Sequence, residues 1–282
     1  MNIITPSFEI WTQEPGLLGL YKQIERAGRV CYKSENNATP DSAKPFVERM
    51  MKSKHTAMLE HGTVYLKGEG LDRYRNNKFS NVNSIDGTDY VTTNLRVLDE
   101  NGWLADLDLF CEPTEHHDRR ITVHFTTQIA ITREYNRHRA NSMAEQSTRY
   151  CNYSKDKFSG EISINQPTWV EQLENKEASV DDFVALSAKV ASGSASEYEN
   201  WLFANMAAER SYMNLISQGR KPQEARVVLP LDCNTELVHT AFVADWCHFF
   251  DLRALGTTGA PHPDAKVLAQ PLYEEFKRRG LV

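Results

Sequence analysis

Apolar positions recur at helical spacing over residues 17–30, where Leu17, Leu20, Tyr21, Ile24 and Ala27 share one stripe and predict a helix. Thr39-Pro40 reads as the start of a second helix, its apolar face continuing through Phe46, Val47, Met50 and Met51. The period then changes. Residues 62–68 (GTVYLKG) alternate and predict a strand, as do 119–126 (RRITVHFT), with Ile121, Val123 and Phe125 inward. A helix is expected over 127–138 with Ile129 and Ala130 turned to the core, and the polar run 141–154 reads as loop. Helical spacing dominates afterwards, over 180–191, over 196–218 with Gly219 closing the helix, and over 222–229. A strand near 235–240 precedes a helix through 243–253. The last helix, 264–279, carries Pro271, which should bend or restart it.

Residues 69–118 follow neither period well. They are polar and Asn-rich, with turn signals at NGW and CEP, and predict an irregular insertion holding a short strand at 90–98 and a helical turn at 103–110. No linker, low-complexity run or repeat divides the chain. The expected architecture is α+β: one domain over 1–282 with an antiparallel sheet flanked by long helices.

At 282 residues and 40% hydrophobic, the chain can bury a sizeable core. No apolar run approaches the roughly 20 residues of a membrane span, and the start MNIITPSFEIW lacks the basic region of a signal peptide. Five cysteines without a CxxC spacing indicate neither a disulfide framework nor a zinc site; no metal is expected, and a reduced, cytoplasmic setting is. A net charge of −6 argues against a general nucleic-acid or anionic-membrane surface. A local cluster of arginines therefore needs its own explanation.

Residues 133–150 (REYNRHRANSMAEQSTRY) are such a cluster. Arg133, Arg137, Arg139 and Arg149 outnumber Glu134 and Glu145, and Ser142, Gln146, Ser147 and Thr148 add hydroxyl and amide donors. Guanidinium, hydroxyl and backbone N–H donors together suit a phosphorylated small molecule. The competing reading is a solvated, salt-bridged helix end. Ser147 has no His or Asp beside it in sequence to act as its base, so a nucleophilic serine is not indicated.

Arg137-His138-Arg139, seven residues and then Ser147 closely resemble the RHR signature of flavin-dependent thymidylate synthases. Three further elements occur in the order found in that family. His55 to His61 (HTAMLEH) resembles its HxxxxEH element, Glu224 to Leu231 (EARVVLPL) its ExAR turn, and Phe250 to Arg253 the helix end whose arginine faces the pyrimidine. The resemblance implies FAD as cofactor, with NADPH and 5,10-methylenetetrahydrofolate as co-substrates, and methylation of dUMP to dTMP with release of tetrahydrofolate. It implies FAD contacts from His55, Arg137, His138, Arg139, Glu145 and His248. It implies dUMP contacts from Glu134, Arg137, Glu145, Gln146, Ser147, Thr148, Arg149, Arg226 and Arg253, with Arg253 also the catalytic cation. It further implies a homotetramer whose sites lie at subunit junctions, so that several of these residues act in trans.

The sequence also departs from the family's pattern. Ala57 stands where serine or threonine is usual, Ala144 where asparagine is frequent, Phe242 and Ala244 where polar residues often touch FAD, and Glu134 where glutamine is common. A small insertion (255–260) follows Arg253. None of the five cysteines is implied as a nucleophile; Cys233 and Cys247 are expected in the core. Two other readings compete: a relative making another 5-substituted pyrimidine nucleotide such as hydroxymethyl-dUMP, and a nucleic-acid binder stacking bases on Tyr135, Tyr150 and Tyr153.

Overall fold

The computed structural model describes all 282 residues. Nine strands run in chain order: β1 (Asn2–Ile4), β2 (Ser7–Trp11), β3 (Thr63–Gly68), β4 (Asn81–Ile85), β5 (Thr88–Asn94), β6 (Arg120–Gln128), β7 (Ser142–Glu145), β8 (Ser163–Asn165) and β9 (Asn234–Phe242). The helices are α1 (Gly16–Val30), α2 (Ala43–Lys52), α3 (Leu95–Asn101), α4 (Ile129–Tyr135), α5 (Thr168–Glu171), α6 (Phe183–Ser192), α7 (Glu197–Ser217), α8 (Pro222–Ala225), α9 (Val243–Phe250) and α10 (Pro263–Arg278). The α+β expectation holds. The main sheet is antiparallel, in the order β2-β6-β9-β7, and a second antiparallel sheet has the order β3-β5-β4. β1 and β8 form a small parallel pair.

The main sheet is covered on both faces, as the alternation of its strands requires. Val123, Phe125, Leu237 and Ala241 pack against Trp246, Phe249 and Phe250 of α9 and against Leu268, Leu272 and Phe276 of α10. On the opposite face Trp11, Ala144 and Val238 meet Ala27 and Val30 of α1. α1 also serves the second sheet: Leu20 and Ile24 pack with Val64, Leu66, Val91 and Leu98. Its approach to the β3 turn is close enough that a Cβ at Gly62 would lie 2.6 Å from Ile24 Cδ1. A third core joins α7 to β8 through Tyr198, Trp201, Leu202 and Ile164. The N-terminus of α7 is fixed by a capping box between Ser196 and Glu199.

Several expectations are corrected. The second helix begins at Ala43 rather than near Thr39, because Ser42 closes a turn on Thr39 first. Residues 69–118 are more regular than their composition suggests: they contain β4, β5 and α3, and Val91, Leu95 and Leu98 of these elements are buried together with Leu71 and Tyr74 from the turn before them. The strand at 90–98 stops at Asn94, whose side chain accepts from Val97 N–H at 3.2 Å and starts α3. α4 is shorter than 127–138, and Ile131 and Tyr135, not Ile129 and Ala130, fill its core face. The polar run from 141 opens with a strand, β7. α10 continues through Pro271 as one helix. Cys233 is buried as expected, but Cys247 is exposed.

Polar groups in this core carry a pH signature. His61 and His239 are wholly buried, and burial pushes both down to about 3, aided by Arg120 at His61 and by His138 and His61 at His239. Burial, then Arg253 and His248, push His138 down to about 4. These imidazoles are neutral in the fold but take up protons once the chain unfolds, near the ordinary value of about 6.5. Stability should therefore be full above pH ~6.5 and fall as pH drops toward 4, each histidine adding up to ~1.4 kcal/mol per pH unit to the slope. Thermal melts from pH 8 to 4 check this. A midpoint unchanged between pH 7 and 5 contradicts it.

Candidate active site

The arginine-rich window is held by three elements. α4 ends at Tyr135 and a turn carries Arg137, His138 and Arg139 into β7. From β7 the chain enters a loop pinned at two successive amides. Gln146 N–H donates to the Glu236 carbonyl of β9 at 2.8 Å, and Ser147 N–H donates to the Cys31 carbonyl at the end of α1 at 2.9 Å. Glu145, at the mouth of this loop, is fixed by α4: its carboxylate accepts from Thr132 Oγ1 at 2.7 Å and from Asn136 Nδ2 at 2.9 Å.

The loop forms one wall of an open cleft of about 620 Å³ lined by Arg133, Glu145, Gln146, Ser147, Thr148 and Arg226, with Ile129, Val227, Leu229, Pro230 and Leu231 completing it. Arg226 lies in a 3₁₀ turn after α8 and donates to Thr148 Oγ1 at 3.1 Å. So Glu145, Gln146, Ser147, Thr148 and Arg226, drawn from distant parts of the sequence, meet here as expected. Arg133 joins them; it was counted in the cluster by charge but given no role. Arg149 lies outside the cleft lining, exposed, with its guanidinium 5.3 Å from the Tyr150 ring.

The electrostatics bear on the two sequence readings of the cluster. Arg133, Arg137, Arg139, Arg149 and Arg226 have no carboxylate within 4.0 Å; elsewhere in this acidic chain Arg26, Arg29, Arg73 and Arg96 are among those paired with acids, while Arg49, Arg119, Arg120 and Arg210 are not. A salt-bridged helix end would have neutralised them. Five cations left without acids create a field suited to anions.

A second group of the expected residues sits elsewhere. Phe250 leads out of α9 into a π-helical turn, Asp251–Leu255, a rare local geometry often found at functional sites. Arg253 in that turn is directed at the end of α4. Its Nη1 donates to the Glu134 carboxylate, its Nη2 to the Glu134 carbonyl at 2.7 Å, and its Nε to His138 Nε2 at 3.2 Å. The last contact places the His138 proton on Nδ1, which is buried and has no partner. His248 is exposed and approaches His138, ring centroids 5.7 Å apart. Arg253 is thus more than a helix cap, but its donors are turned toward α4 and it does not line the cleft.

His55 lies in a third place. It is exposed and lines a pocket of about 440 Å³ floored by Phe46, Met50 and Met58 and flanked by Tyr32 and Tyr150. Ala57 lines the same pocket, so the missing hydroxyl there leaves an apolar surface. The other histidine of the HTAMLEH segment, His61, is a core residue bonded to Thr240 at 2.8 Å.

A family model described as "Thymidylate synthase complementing protein" matches residues 111–279, more than half of the chain. The chain belongs to this family. A flavin-dependent thymidylate synthase from Synechocystis sp. is 26% identical over 159 residues, which are 54% of this chain and 65% of that one. The chain thus spans 65% of that relative's length. Two solved structures are also similar, a UMP/dUMP methylase PolB from Streptomyces cacaoi bound with 5-Br dUMP and the same protein with 5-Br UMP. Both are 16% identical; the TM-scores are 0.44 and 0.43, covering 98% and 100% of this chain and 93% and 98% of the other. Within the matched span of this member of the thymidylate synthase complementing protein family lie both the cleft loop and the Arg253 cluster, whereas His55 precedes it.

The cleft makes a prediction that needs no knowledge of the base. Arg226→Ala removes a charged donor, each worth about 1.5–3 kcal/mol, so affinity for a nucleoside monophosphate should fall roughly 10- to 100-fold. Calorimetric titration checks it; equal affinity in parent and variant places the anion elsewhere.

Proposed function

We propose that this chain is, as one domain, a flavin-dependent enzyme that methylates dUMP at C5 to give dTMP. In this reading the carbon comes from 5,10-methylenetetrahydrofolate, the reducing equivalents come from NADPH through FAD, and the working form is a homotetramer. The observation that carries it is the cleft itself: a pinned loop of donors, Gln146 to Thr148, facing Arg133 and Arg226, with no acid to neutralise either guanidinium. The name of the Synechocystis relative supports the same chemistry.

The nucleotide phosphate would sit against Ser147, Thr148 and Arg226, where hydroxyls and a guanidinium converge. No side-chain base meets the Ser147 hydroxyl, whose one protein contact is Arg149 N–H at 3.3 Å, so it serves as a donor to phosphate and not as a nucleophile. Nucleophilic chemistry at Cys31 and Cys233 is equally disfavoured. Burial pushes the Cys31 thiol up to about 11, with Cys151 and Glu145 adding to it, and burial pushes Cys233 up to about 12. Neither forms appreciable thiolate at neutral pH.

The residues present fit a flavin dinucleotide. Arg137 and Arg139 are cations without acids that can neutralise a diphosphate, and the buried Nδ1–H of His138 is a donor lacking an acceptor. When bound, the reduced flavin supplies the hydride that completes the methyl group. The protein's share is to polarise uracil. C5 becomes a carbon nucleophile only as electron density builds across the ring, with partial negative charge on N3 and on the C2 and C4 oxygens, and a guanidinium is planar, permanently charged and able to meet that edge with two donors. Arg253 is the candidate. Since Arg133 lines the cleft while its neighbour Glu134 holds Arg253, one nucleotide would meet both half-sites across a subunit junction.

The purified protein should be yellow with about one FAD per chain, the cofactor being what this class of carbon transfer requires. It should convert dUMP to a product of dTMP mass only when both folate and reductant are present. A protein that stays colourless in excess FAD overturns the reading, and a product heavier than dTMP by one oxygen assigns it to hydroxymethylation.

Arg253→Lys should retain fold and flavin yet lower kcat/KM for dUMP by roughly 10²-fold, the scale of removing one preorganised donor. Steady-state kinetics alongside circular dichroism checks it. A variant within about threefold of the parent would leave Arg253 as a structural tie between α4 and α9.

A further inference from the structure

The two amides that fix the cleft loop are bonded to carbonyls on separate elements, Glu236 of β9 and Cys31 at the end of α1. Whether the loop keeps its shape therefore depends on whether those two elements keep their spacing. One polar contact spans them. Lys33, two residues past the carbonyl that receives Ser147, bonds through Nζ to the Glu236 carboxylate. The same glutamate supplies the carbonyl that receives Gln146, so a single residue holds the loop with its backbone and Lys33 with its side chain.

The surroundings are built for this contact. Glu236 is 8% exposed and has a second partner, His124 Nε2 at 2.9 Å, whose ring stacks on Trp11 at 4.8 Å. Lys33 adopts a left-handed backbone, φ +48°, unusual for a residue with a side chain. Lys157 donates to the carbonyls of Tyr32 at 2.8 Å and Lys33 at 3.2 Å and holds this turn in place. Burial alone pushes the Glu236 carboxyl up, yet His124 and Lys33 outweigh it and hold it below the usual range, so it is ionised at neutral pH. Neither Lys33 nor Glu236 lines the cleft.

We propose that the Lys33–Glu236 ion pair is a strap that holds Gln146 and Ser147 in their phosphate-binding geometry, making both partners positioning residues for the nucleotide. The inference rests on the functional reading above for the identity of the nucleotide, but not for the strap itself. Lys33 is half-buried at the protein's edge, so its loss need not unfold the chain.

The test uses the flavin-loaded protein with Lys33→Met, Lys33→Arg and Glu236→Gln. Amide hydrogen exchange at Gln146 and Ser147 should quicken about tenfold in Lys33→Met and Glu236→Gln, and Lys33→Arg should restore protection. KM for dUMP should rise about tenfold in the first two while kcat stays within about twofold, because the strap touches no reacting atom. Unchanged exchange and unchanged KM in Lys33→Met overturn the strap. So does a uniform loss of kcat with KM constant. If the parent itself neither binds nor converts dUMP, the functional reading fails, and the exchange measurement still decides whether Lys33 holds the loop.

Discussion

β9 is paired along both edges, with β6 over nine residues and with β7 over four, and all but its first residue are buried. Buried between two strands and two helical layers, it has no freedom to slide: a one-residue slip would exchange Leu237 and Ala241, which face α9 and α10, for Glu236 and Val238, which face α1. That register decides where β7 ends. β7 pairs Glu145 with Leu237, so the next residue, Gln146, emerges at the Glu236 carbonyl and the donor loop begins there. The candidate site thus inherits its geometry from the most constrained strand in the molecule.

The same strand explains the buried imidazoles. Alternation sends His239 to the α9 face among Phe125, Trp246 and Phe249, and Thr240 to the opposite face, where it bonds His61 and Thr122. Polar side chains on both faces of a fully covered strand cost stability unless paired. His239 Nε2, His61 Nε2 and His138 Nδ1 lack protein partners. They are not the only such atoms: Gln23 Nε2, Thr92 Oγ1, Asn165 Oδ1 and Asn205 Oδ1, in other parts of the fold, lack protein partners too.

Much of this was legible in the sequence, and for identifiable reasons. Long periodic segments such as α1, α7 and β6 declare themselves because one face is apolar over many residues. Residues 142–145 did not, because β7 is only four residues long and its pattern is Ser-Met-Ala-Glu: it is a strand by virtue of its neighbour β9, not of its own composition. In the second sheet β3 and part of β5 were legible, but β4 was hidden likewise. β4 and β5 are rich in Thr and Asn, and the burial of β5 comes with α1 and α3 in the same core. Among the site residues, the motif placed Glu145 to Thr148 and Arg226 in one cleft, but no local pattern marks Lys33 or Glu236. Their pairing spans 203 positions and exists only once α1 and β9 are packed.

The arrangement of charge around α4 follows from helix geometry. Successive residues on a helix point about 100° apart, so Arg133 and Glu134 face different surfaces: Arg133 lines the cleft and Glu134 grips Arg253. Glutamate at this position has a consequence that glutamine would lack. Its carboxylate pairs with half-buried Arg253 in the single chain, beside His138, whose pKa is lowered by burial and then by that guanidinium. The cleft arginines receive no such neutralisation. Arg133 and Arg226, which line the cleft, have no acid within 4.0 Å, and neither do Arg137, Arg139 and Arg149 outside its lining, in a chain with six more acids than bases. In the proposed reading, exposed guanidiniums without acids remain free to meet an external anion, whereas Arg253 would have to exchange its Glu134 partner for substrate.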